Sequence, residues 1–124
     1  MPALHYLDFD FSEDADGHGS FDAMASAGPA QQPALEAEVI GLLTWAHRSF
    51  PGSRAPLDEG GEWDYALHGV LESTQPLEIE HEPGELCLRL MRAGAPAPPR
   101  LTLTLTLTGT PAFCAALRHE FETG

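Results

Sequence analysis

Ser12, Asp14 and Asp16 put an oxygen-bearing side chain at every second position of a segment that ends in Gly17. Alternate side chains converge on one cation when a glycine turns the backbone sharply, which is how the calcium loop D-x-[DN]-x-[DN]-G works. The correspondence is partial. Ser stands at the first position, and Ala23 occupies the twelfth, where a calcium loop carries a bidentate Glu. Two carboxylates and a hydroxyl imply weak affinity, on the order of 10⁻⁴–10⁻³ M. The same residues better suit a solvated hairpin turn, in which Asp, Gly and Ser serve backbone geometry. Calcium at Ser12, Asp14 and Asp16 is the single cofactor that the spacing suggests.

Other reactive side chains form weaker patterns. Glu62 and Asp64 flank Trp63, and paired carboxylates do acid–base work when burial drives their pKa values apart. Alternation points both away from Trp63, toward the face expected to meet water. A deep pocket around them would favour an enzyme. The six His (5, 18, 47, 68, 81, 119) form no HExxH and no helical metal pair, and His5 and His81 are expected to face inward. Cys87 and Cys114 lack CxxC spacing, and Cys114 is expected on the apolar side of a helix. There is no GxSxG, GxGxxG or P-loop motif, and the chain contains no Lys, which rules out a Schiff-base lysine.

Charge is the strongest compositional signal. The net charge is −13, and all six basic residues are Arg. Residues 1–85 hold seventeen acids against two Arg, whereas residues 86–124 hold two acids against four Arg. Such a field repels phosphate backbones and anionic lipid, so neither nucleic acid nor a membrane surface is an expected partner. A basic protein is. Tyr6, Asp8, Asp10, Asp64, Glu78, Glu80 and Glu82 are expected together on the outer face of a sheet, where a cationic partner would relieve their mutual repulsion.

The elements that must position these residues follow from periodicity. His5 to Phe11 alternates as a half-buried strand, and 21–27 can return beside it as a hairpin. Pro33 suits the first turn of a helix over 34–49, whose Leu35, Val39, Leu42, Leu43, Ala46 and Phe50 share one side. Strands follow around Trp63–Leu71, Leu77–Ile79 and Leu86–Leu90. LTLTLTLT (101–108) alternates without exception, which places its Leu residues beneath the helices and its Thr residues on the other face. This uncharged strand must be central or covered; at an edge it would drive a two-fold homodimer. Thr110-Pro111 then opens a second helix carrying Phe113, Leu117 and Phe121.

The expected fold is therefore α+β, a single domain over 1–124. An antiparallel sheet of about six strands, in the order ββαββββα, carries two helices on one face. The absence of a signal-like N-terminus makes the cytoplasm the expected location. The expected role is a non-enzymatic protein-interaction, accessory or inhibitor module. A weak divalent-cation domain using 12–18 is the alternative, and an enzyme built on carboxylates or Cys87 is a further one.

Overall fold

Strict alternation of apolar and polar residues makes a strand two-faced, and this chain stacks four such strands under its helices. A computed structural model describes residues 4–121. The elements run β1 (Asp10–Glu13), β2 (Gly19–Ala27), α1 (Gln32–Ser49), β3 (Trp63–Glu72), β4 (Leu77–Glu80), β5 (Arg89–Arg92), β6 (Arg100–Gly109) and α2 (Pro111–Phe121), with a 3₁₀ turn at Leu57–Glu59. The order ββαββββα is the expected one. The six antiparallel strands divide into a four-stranded sheet, β1-β2-β6-β3, and a separate pair, β4-β5.

β6 lies between β2 and β3, so both sides of its ladder are used and the uncharged LTLTLTLT presents no free edge. A dimer through this strand is thereby closed off. Across the ladder, Phe21 faces Leu107, Ala23 faces Leu105 and Ala25 faces Leu103, and on the other side Tyr65 faces Leu107. Phe21, Leu105 and Leu107 are wholly buried, together with Leu35 and Leu42 of α1 and Phe113 and Leu117 of α2. Leu101 and Leu103, expected beneath the helices, are only half-buried.

Two glycines let α2 come down onto this sheet. Gly19 and Gly109 are direct partners across β2 and β6. A methyl group on Gly19 would collide with Phe11 and the Cys114 sulfur, and one on Gly109 would collide with Phe113. Thr110 caps the helix as its sequence implies, its Oγ1 accepting the Phe113 N–H at 3.4 Å.

The N-terminal segment differs from expectation. Leu7 and Phe9 are buried as the alternation requires, but strand pairing begins only at Asp10. Before that point the backbone donates to a side chain. The N–H groups of His5, Tyr6 and Leu7 converge on the Glu38 carboxylate at 2.9, 3.0 and 2.8 Å. Glu38 lies beyond the first turn of α1, which contains no acid, so it does not serve the helix dipole. It clamps the preceding chain instead. Glu38→Ala is expected to lower stability by about 1.5–3 kcal/mol, the range for hydrogen bonds to a charged group. Hydrogen exchange should show faster exchange at residues 5–7, with little change in β6; unchanged exchange there would refute the clamp.

Candidate interaction surface

α2 is too short to cover the strands beneath it. α2, with eleven residues, spans about 16 Å, whereas the ten residues of β6 span about 33 Å. The coverage fails at one end. From residue 66 to residue 100 every residue is exposed except Gln75, which is half-buried. This stretch contains the far part of β3 and the whole β4–β5 hairpin, which forms an arm.

The arm is two-faced. The register pairs Leu77 with Arg92, Glu78 with Met91, Ile79 with Leu90 and Glu80 with Arg89. One face therefore carries Leu77, Ile79, Leu90 and Arg92, and the other carries Glu78, Glu80, Met91 and Arg89. On the apolar face Leu77, Ile79 and Leu90 are 45%, 59% and 60% exposed, and Leu86 and Leu88 nearby are exposed too. The base of the arm is tied by Ala93 N–H to Pro76 O at 3.0 Å, Ala97 N–H to Thr74 O at 2.8 Å and Gln75 Nε2 to Gly94 O at 2.9 Å. At its tip, Arg89 pairs with Glu82 at 2.7 Å, and His81 Nε2 lies 2.9 Å from Glu85 O.

Beyond the reach of α2, α1 and the sheet leave a cleft of about 200 Å³ lined by Glu36, Val39 and Ile40 of α1, Leu67 of β3, and Leu101 and Leu103 of β6. Leu71 continues its apolar face as the cross-strand partner of Leu101. Ile40, Leu67 and Leu71 are exposed. The six strands, expected in one sheet under the helices, divide four and two, and this division leaves the apolar residues of β4 and β5 outside the helices' cover.

The acidic residues are dispersed rather than gathered on one sheet face. Asp10 and Asp64 lie on the four-stranded sheet, Glu78 and Glu80 on the arm, and Glu82 just beyond β4. Asp8 is exposed ahead of β1, whereas Tyr6 packs partly against the core. Asp10 stands opposite Asp22, which accepts a hydrogen bond from Thr106 Oγ1 at 2.7 Å. Asp64 accepts from Arg54 Nε at 2.9 Å and from the Tyr65 N–H at 2.9 Å. Glu62 is exposed. His5 and His81, expected inside, are both exposed.

In the 12–18 loop, Asp14 turns its carboxylate inward on its own backbone. Its Oδ1 accepts the N–H groups of Asp16 and His18 at 2.9 and 3.0 Å, and Gly17 has a φ of 82°. That is the chemistry of a turn-stabilising Asp. Ser12, Asp14 and His18 border an open depression of about 360 Å³, but among the described residues no three His, Cys, Asp or Glu side chains group as a metal site. Calcium titrated to millimolar concentration is expected to give no saturable heat. A saturable isotherm that disappears in Asp14→Asn/Asp16→Asn would establish the site.

Both thiols are free, Cys87 exposed and Cys114 buried. Burial pushes the Cys114 thiol up, away from the thiolate that nucleophilic chemistry needs. Arg89, the cation nearest Cys87 in sequence, is engaged by Glu82 and Glu85. Among the described residues no polar or charged side chain is buried, and no helix is long and apolar enough to cross a membrane. Comparison with protein-family models, with curated proteins and with solved structures returned no match to this chain.

Proposed function

We propose that this chain is a non-enzymatic protein-interaction module, of the accessory or inhibitor kind, that engages its partner through the distal sheet and the β4–β5 arm. The observation that carries the reading is the exposure of 66–100, broken only at Gln75, with Leu67, Val70, Leu71, Leu77, Ile79, Leu86, Leu88 and Leu90 all open to solvent. Exposed apolar residues gathered in one stretch in this number mark a contact site, because single ones are common but groups are not. Among the described residues no charged side chain is buried, so none is a desolvated carboxylate or imidazole of the kind catalysis uses. A basic partner drawn by acidic residues is less supported, since those acids are dispersed over two sheets and Asp64 and Glu82 are already paired with Arg54 and Arg89.

Photo-crosslinking tests the reading. A photoreactive side chain at position 88 on the arm is compared with one at position 58, an exposed site in the 3₁₀ turn. In an extract of the source cells, protein adducts are expected from position 88 and not from 58. They should survive high salt, because apolar contact is not screened as an ion pair is. Equal or absent labelling at the two positions would overturn the assignment.

A further inference from the structure

Building on that reading, we infer that the arm's partner is a second copy of this chain. The apolar face of each β4–β5 arm seats in the other copy's cleft between α1 and the far ends of β3 and β6.

Each copy carries two uncovered apolar surfaces that are complementary in kind. The arm presents a flat two-stranded face of Leu77, Ile79 and Leu90. The cleft presents a concavity of about 200 Å³ floored by Val39, Leu101 and Leu103 and flanked by Ile40 and Leu67. A two-stranded hairpin is at best marginally stable alone in water, so the arm requires a surface to lie against. Contacts at its base tie its two flanking segments to each other, and its residues stay exposed in their own chain. A two-fold axis places arm on cleft twice over and leaves neither surface unfilled.

Charge selects the same pairing. Arg92 shares the arm's apolar face as the cross-strand partner of Leu77. Among the described residues it makes no ion pair, and neither does Glu36 on the rim of the cleft. Seating the arm brings this cation to that acid. Glu78 and Glu80, which would repel Glu36, belong to the arm's opposite face. On a chain with a net charge of −13, self-association requires such local complementarity, because the overall field opposes it.

Sedimentation of the purified full chain provides the test, with circular dichroism confirming the fold of each variant. The wild type is expected to be a dimer. Ile79→Asp on the arm and Ile40→Asp on the cleft are each expected to yield monomers, and mixing the two is expected to restore a heterodimer with one intact arm–cleft contact. Arg92→Glu and Glu36→Arg should each weaken the dimer several-fold, and together they should recover most of the loss. Both positions are exposed, so this pair keeps the test valid should an apolar variant fail to fold. A wild type that is monomeric at all concentrations would overturn arm exchange, as would a dimer indifferent to Ile79→Asp. If position 88 still cross-links to a different protein, the interaction-module reading stands without it; if it cross-links to nothing, both fall.

Discussion

Trp63→Ala is expected to lower the unfolding free energy by about 3–5 kcal/mol, the range for truncating a buried large aromatic residue. Trp63 is completely buried at the start of β3 and joins three parts of the core. Its ring stacks on Phe113 of α2, with centroids 5.6 Å apart and planes within 4°, and on Tyr65 at 6.0 Å. His47 of α1 meets it edge-on at 4.9 Å. Its indole N–H points to the carbonyl of Phe50 at 3.4 Å, a long bond that contributes less than the packing. Trp63→Phe should therefore recover much of the loss. Equilibrium urea unfolding measures both variants, and a loss below about 1 kcal/mol for Trp63→Ala would contradict the packing described, since surface-like substitutions fall in that range.

Leu105→Ala is expected to destabilise by about 2–5 kcal/mol, as a fully buried leucine truncation does. Leu105 lies at the centre of the sheet with Ala23 on one side and Leu67 on the other. The informative comparison is Leu101→Ala, two alternations along the same strand, in the half-covered cleft beside α1. Leu101 is half-buried, so it should lose about half as much transfer free energy, roughly 1 kcal/mol, in protein diluted to monomer. Equal losses in dilute protein would mean that the far end of the sheet is covered within one chain. A Leu101→Ala loss that grows with protein concentration would report cover supplied by a second copy.

Much of the architecture is legible before folding because it is local. The alternation in 101–108, the Leu35-Val39-Leu42-Ala46 stripe and the Thr110-Pro111 helix start each state their own element and its inward face. The order ββαββββα follows from them. The Glu38 clamp was not legible, because it joins positions more than thirty residues apart and its donors are backbone groups. The 12–18 loop illustrates the reverse case. Its alternating oxygens suit either a cation or a turn, and the Asp14 carboxylate accepts the Asp16 and His18 N–H groups as a turn-stabilising Asp does.

Each strand's two faces, each helix's buried stripe, the acidity and the exclusion of lysine chemistry can be read from the residues in order. These depend only on side-chain periodicity and composition. The tertiary structure alone decided which apolar faces receive cover. Residues 77–80 and 86–90 alternate as regularly as a buried strand does, yet their pairing in a separate sheet leaves them beyond the helices. Burial is a property of what lies opposite a residue, and that is set by the packing of elements distant in the chain.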